Sequence, residues 1–279
     1  MGLFSKGCVI CDGKCGLTSS KSIADGKLCE NCISELSPWF TDFKHATAES
    51  IEEQLAYREE NKKKLNDFET TKAWGIKKYK EAMQFIYDKD KKQFVVVSGP
   101  EETFKERNPD VIDFDQVTDV FLEVIEHWSE KGGQYDPPNL THQIRQEEYK
   151  DVFWRYDFYL HIKVDHPYFD EICYKMNWKT TVLKVPQRGI MFRRGLEMSG
   201  IYKGEELESL AENIEKTGSG ERRMIKVGKV VDTALLKKKD DDVVDLLIED
   251  YKDEKYLKKI ENVANHIKRA GRIYKLLVG

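Results

Sequence analysis

The sequence predicts an α+β multidomain chain: a small N-terminal finger, an antiparallel β domain closed by a helix, and a helical C-terminal tail. Three observations carry this reading. Five of the six cysteines fall within the first 32 residues, period-two alternation dominates the middle of the chain, and helical periodicity returns after Glu205. At 279 residues the chain is about twice the commonest domain size, so more than one unit is expected. Hydrophobic residues make up 40% and charged residues 34%, the composition of a chain with a thickly charged surface rather than a disordered one. The formal charge of −4 is a small difference between 46 basic and 50 acidic side chains, so no global field draws in nucleic acid.

The opening residues Met1-Gly2-Leu3-Phe4-Ser5-Lys6 lack the apolar run and small-residue cleavage site of a secretory signal. A myristoylation signal at Gly2 would need Ser or Thr where Lys6 stands. Nowhere do about 18 apolar residues run together, so no membrane span is expected and the cytoplasm is the expected location. In a reducing cytosol, clustered thiols hold metal more readily than they form disulfides.

The finger follows from cysteine spacing. Cys8-Val9-Ile10-Cys11 and Cys29-Glu30-Asn31-Cys32 are two C-x-x-C pairs separated by seventeen residues, which fits a four-thiolate zinc site. A two-residue gap makes a tight knuckle that aims both sulfurs at one ion and leaves backbone N–H groups directed at the thiolates. The expected ligands are Cys8, Cys11, Cys29 and Cys32, around one structural Zn²⁺ with no position left for water. Cys15 could compete, but its three-residue gap from Cys11 suits a bystander or redox-sensitive thiol better. Asp12-Gly13 and Asp25-Gly26 supply turns, and a helix from Cys29 to Leu36 is stopped by Ser37-Pro38. Knuckle, hairpin and helix-borne ligands describe a treble-clef-like finger over residues 1–40. No βαβ pattern surrounds either C-x-x-C, which argues against a thioredoxin-type role.

With those residues in view, Met1-Gly2-Leu3-Phe4, Cys8-x-x-Cys11, Gly13, Gly16-Leu17, Asp25-Gly26, Leu28-Cys29-x-x-Cys32 and Leu36-Ser37 resemble a module of unknown function, read as zinc-binding, at the N-terminus of uncharacterised bacterial proteins. The resemblance covers residues 1 to about 40. It implies metal binding through the same four cysteines, leaves Cys15 outside the pattern, and implies no reaction.

Residues 41–72 are expected to form a charged connecting helix. Ser50-x-x-Glu53 reads as its capping box, and Ile51, Leu55, Leu65 and Phe68 form a thin apolar stripe suited to a bridge. Residues 73–216 read as the β domain. Ala82–Asp88 and Gln93–Val97 flank Lys89-Asp90-Lys91-Lys92 as a hairpin, and Val111–Phe114 and Val117–Trp128 add strand. Tyr156, Phe158, Leu160, Ile162 and Val164 alternate with polar residues, the mark of a half-buried antiparallel strand. Ile172, Tyr174 and Met176 line one side of the next run, and Leu207, Leu210, Ala211 and Ile214 give a closing helix ended by Gly218. With insertions at about 129–151 and 179–204, this order resembles a bacterial pleckstrin-homology-like or GRAM-like domain. That resemblance is architectural and rests on no diagnostic motif.

Residues 217–239 form a linker, with Thr217-Gly218-Ser219-Gly220 as its joint, and 240–279 an amphipathic helical tail. Asp240 to Asp242 suit a helix N-terminus ahead of Val243, Val244, Leu247 and Ile248. Ile260, Val263, Ala264, Ile267, Ala270, Tyr274 and Leu277 form a second stripe opposite Lys258, Lys259, Lys268, Arg269, Arg272 and Lys275.

The chain has no phosphate-binding glycine loop, dinucleotide fingerprint, H-E-x-x-H or G-x-S-x-G, so a non-enzymatic protein is expected. His161, Asp165, His166 and Asp170 cluster in sequence but read as hydrogen-bonded surface and corner residues, and Cys173 as a small core or near-core residue. The expected role is an adaptor in which the finger and the β domain each offer a surface to a protein partner. One alternative is a peripheral membrane protein that reads anionic lipid through the β domain or the basic tail. Nucleic-acid binding by the finger is a third reading. It is disfavoured because residues 1–50 carry five lysines against six acidic groups. Partner identity and oligomeric state have no signature in the sequence.

Overall fold

The computed structural model describes residues 7–75, 81–130, 152–185, 198–219 and 254–279. The chain is α+β and divides into two compact units, Met1–Asp119 with Ile162–Cys173, and Val120–His161 with Tyr174–Gly279.

The first unit begins with a hairpin, β1 (Lys21–Ile23) and β2 (Gly26–Leu28), in which Lys21 faces Leu28 and Ile23 faces Gly26. A short helix, α1 (Glu30–Glu35), and a long one, α2 (Ala48–Asp67), follow. Helix α2 starts earlier than the Ser50-x-x-Glu53 box predicts. Thr47 is the N-cap, its hydroxyl accepting from Ser50 N while Ser50 Oγ accepts from Thr47 N. Asp25, in the β1–β2 turn, adds a carboxylate that accepts from Ala48 N at 3.0 Å. Two first-turn donors are thereby satisfied, and negative charge sits where the helix dipole favours it. The helix stops at Asp67, because Phe68 turns extended and buries its ring against Phe104.

Strands β3 (Lys72–Gly75), β4 (Met83–Asp88), β5 (Gln93–Ser98) and β6 (Ile112–Asp113) form an antiparallel sheet in that order. The β4–β5 hairpin pairs Asp88 with Gln93, and Asp88 accepts from the N–H groups of Asp90 and Lys91 to fix the turn. A 3₁₀ segment, Glu101–Arg107, leads to a loop whose Asn108 is left-handed at φ 44°.

Strands β7 (Val117–Glu130), β8 (Val152–His166), β10 (Thr181–Val185) and β11 (Gly200–Tyr202) form a second sheet ordered β10-β8-β7-β11, and β9 (Phe169–Lys175) also pairs with β8. Strands β10 and β11 occupy the stretch expected to be an insertion. Each is three to five residues long and gains its place from a partner distant in sequence, with Leu183 opposite Trp154 and Ile201 opposite Glu123. The alternation of Tyr156, Phe158, Leu160 and Ile162 holds, each side chain being fully buried. Cys173 is exposed rather than core, because Ile172 and Tyr174 take the two inward positions on either side of it.

Helices α3 (Glu205–Ser219) and α4 (Glu254–Leu277) complete the second unit. Helix α3 continues one residue past Gly218. Ile260, Val263, Ala264, Ile267, Ala270 and Ile273 of α4 are buried, and Lys268 and Lys275 pair with Glu215 and Glu208 of α3. Thr217, Gly218 and Ser219, expected to open the linker, are instead the last residues of α3, while residues 220–239 and the expected helix start at Asp240–Asp242 lie outside the described residues, as do Met1–Lys6. Among the described residues, no helix is long and apolar enough to cross a membrane.

Candidate metal centre

Two backbone devices bring the cysteines together. In the first knuckle Asp12 N donates to Cys8 O at 2.9 Å and Cys8 N to Gly13 O at 2.8 Å, closing a turn in which Asp12 takes φ 57°. A Cβ on Gly13 would stand 3.0 Å from the Cys11 sulfur and 3.7 Å from that of Cys29, so the absence of a side chain lets those sulfurs meet. Val9 N donates to Lys27 O at 3.0 Å and ties the knuckle to the hairpin. The second pair needs no separate turn, since Cys29 is the N-cap of α1 and Cys32 lies in its first turn.

All four sulfurs lie within 4.8 Å of one another, with Cys8 to Cys32 at 3.7 Å and Cys11 to Cys29 at 3.5 Å. A tetrahedron with metal–sulfur bonds of about 2.3 Å has edges of about 3.8 Å, so the cluster already has nearly the size of a filled site. Cys8, Cys29 and Cys32 are buried and Cys11 is exposed. Burial by itself raises the Cys8 thiol, but N–H groups of Cys29, Ile10 and Cys11 and the Cys32 thiol outweigh it and bring the group down to about 6. Cys32 moves the other way, pushed well up by burial and by the three thiols around it. Four converging thiols can shed their protons together only if a cation replaces them. The donor set, its spacing and the knuckle N–H groups all fit a metal ion.

Cys15 is also buried but lies outside the group of four, and burial together with Cys8 and Cys29 raises its thiol. Among the described residues, no other His, Cys, Asp and Glu group has metal-holding geometry. His161 places Nε2 3.2 Å from Glu123 Oε2 and stacks on Phe121, while Asp165 and Asp170 are exposed. His166 is not at the surface as the sequence suggested. It is buried, stacked on Phe169 with centroids 3.9 Å apart and edge-on to Tyr57 of α2.

The residues that sequence reasoning missed lie along the middle of α2. Ile51 and Leu55 pack with Cys8, Cys29, Cys32 and Leu36 in the finger's apolar cluster, and Leu65 packs with Phe68, with Ile86 and Val95 of the sheet, and with Val111 just before β6. Between these two clusters, Gln54, Arg58 and Asn61 are buried. Arg58 Nη1 donates to Asp110 Oδ1 at 2.5 Å, Nε to Glu35 O at 3.2 Å, and Nη2 to Asn108 O. Ser37 Oγ donates to the other Asp110 oxygen at 2.8 Å, and Asn61 bonds Pro109 O and Val111 N, each at 2.8 Å. The signal was the spacing of 51, 54, 58, 61 and 65, steps of three and four that share one helical face.

In comparison with protein families, a family described as "Domain of unknown function (DUF4428)" matches residues 6–54. The matched span holds all five early cysteines and ends at Gln54 in α2. Comparison with curated proteins and with solved structures gives no significant match.

Proposed function

We propose that this chain is a non-enzymatic, cytoplasmic adaptor whose N-terminal finger is held by one structural zinc ion. The observation that carries the reading is the convergence of four sulfurs within 4.8 Å at the spacing of a closed thiolate tetrahedron. Cys8, Cys11, Cys29 and Cys32 are the proposed ligands, with Cys15 left free. Four thiolates give zinc no open position, so the ion supplies folding energy to a segment with a small core and takes part in no reaction. The order of knuckle, hairpin and ligand-bearing helix supports a treble-clef-like finger. The antiparallel strands and closing helix support a pleckstrin-homology-like reading of the β domain, with a sheet surface offered to protein.

Protein is favoured over anionic lipid as the partner because of α4. Its apolar stripe is buried and two of its lysines pair with glutamates of α3, which leaves less free cationic surface for a membrane. Nucleic acid is disfavoured further, since Zn²⁺ with four thiolates adds a formal −2 to a finger already short of positive charge.

Metal analysis of the purified full chain tests the site. One zinc per chain is expected, lost in Cys32→Ser and kept in Cys15→Ser; equal loss in both would refute the ligand assignment. For the adaptor role, the zinc-loaded chain is cross-linked in cells beside Leu17→Asp, which alters a fully exposed finger residue. Loss of specific cross-links in the variant is expected, and an unchanged partner set counts against the finger as a recognition face.

A further inference from the structure

Arg58 and Asp110 form a junction reached from three parts of the first unit. Arg58 belongs to α2, Asp110 and Asn108, whose O accepts from Arg58 Nη2, to the loop entering β6, and the finger contributes Glu35 O and the Ser37 hydroxyl. Both charged side chains are at least 95% buried, with side-chain exposures of 5% and 1%. A buried ion pair withstands the loss of water only when further hydrogen bonds complete it. The finger supplies two of those bonds, three and five residues after Cys32. Ser37 is itself held by Gln54, whose Oε1 accepts from Ser37 N at 3.3 Å, and its Oγ accepts from Trp39 N at 3.1 Å.

The segment that presents Glu35 and Ser37 has little stability of its own. Helix α1 has six residues, and Cys29 makes no side-chain capping bond. A helix of that length does not persist in water without tertiary support. Two of the four cysteines, Cys29 and Cys32, anchor its first turn, so the ion that would join them to Cys8 and Cys11 also fixes where Glu35 O and Ser37 Oγ stand.

We propose that the metal state of the cysteine cluster is transmitted through Ser37 and Arg58–Asp110 to the 108–111 loop and strand β6, making the finger a metal-dependent latch on the four-stranded sheet. This rests on the reading that Cys8, Cys11, Cys29 and Cys32 bind the ion. With metal bound, the finger completes the hydration-free shell of the ion pair and the loop is closed. When metal is lost, Glu35 O and Ser37 withdraw, Asp110 keeps only part of its shell, and the loop opens to bring water to its carboxylate. By thermodynamic reciprocity, whatever metal binding contributes to closing the loop, loop closure returns to metal affinity.

Hydrogen exchange on the full chain tests the latch, with zinc bound and after removal by a chelator under reducing conditions. Peptides spanning 105–116 should exchange about tenfold faster or more without metal, the scale of losing hydrogen bonds to a buried charge, alongside faster exchange in residues 7–40. Peptides from 260–277 should not change. Ser37→Ala should still bind one zinc, should shrink the metal-dependent difference at 105–116, and should lower zinc affinity in a competition titration. Faster exchange confined to residues 7–40 would overturn the latch while leaving the metal site standing, as would exchange rising equally at 260–277. A wild-type difference retained in Ser37→Ala would also overturn it. A chain that takes up no stoichiometric metal would overturn the site reading itself, and metal analysis of the same sample separates that result from the others.

Discussion

Arg58 shows how a residue that reads as solvated surface can hold a fold together. Its guanidinium has an acceptor on each nitrogen and its carboxylate partner is buried, so removing it strands a charge. Arg58→Ala should destabilise the first unit by about 3–5 kcal/mol in urea unfolding, whereas Arg58→Met with Asp110→Leu should recover most of that loss, because an apolar pair needs no compensating shell. His166 makes a second prediction at this scale. Burial, with Arg58 and Lys64 nearby, lowers its pKa from 6.5 to about 4. Between those values the unfolded chain holds a proton that the folded chain refuses, so stability is full above about 6.5 and falls as pH drops toward 4. His166→Phe should flatten part of that decline in denaturant midpoints measured from pH 7 to 4.5. An unchanged slope would mean that the ring is not held neutral. His266, stacked on Phe158 and lowered to about 4 by burial and then by Arg269, should contribute a separate decline of the same sign.

Among the elements, α2 departs furthest from its sequence reading. Its apolar points, Ile51, Leu55 and Leu65, were legible, and so was the expectation of a helix joining finger to sheet. What turns the bridge into a fixed strut was not legible, because Gln54, Arg58 and Asn61 are polar and their partners lie beyond any periodicity: Ser37 is 17 residues before Gln54, and Asp110 is 52 residues after Arg58. Strands β10 and β11 escaped for a related reason, being short and defined by partners rather than by their own pattern. The finger was the reverse case, since knuckle, turn and helix are all local. Local chemistry also joins it to α2, for the Asp25 carboxylate in the hairpin turn accepts from the first N–H of that helix. Asp25→Ala should cost about 1 kcal/mol in denaturant unfolding, the usual worth of a lost cap, without altering metal content.

For the whole molecule, the small net charge conceals two units with different sources of stability. Among the described residues, the first combines a four-cysteine cluster, a buried ion pair and two modest apolar clusters, whereas the second relies on apolar packing of strands and helices. Ile267→Ala, at a fully buried position of α4, should therefore lower stability by about 2–5 kcal/mol in calorimetry while metal content stays at wild-type level. The C-terminal stripe was legible from its helical period, but only the structure shows that its own chain buries it. The four cysteines were the most legible feature, because two-residue gaps constrain sulfur positions more tightly than any propensity constrains a strand. X-ray absorption at the zinc edge on the purified chain tests that central claim most directly. Four sulfur neighbours at about 2.3 Å, with one zinc per chain, is the predicted result; a shell containing oxygen or nitrogen, or protein without zinc, would contradict it.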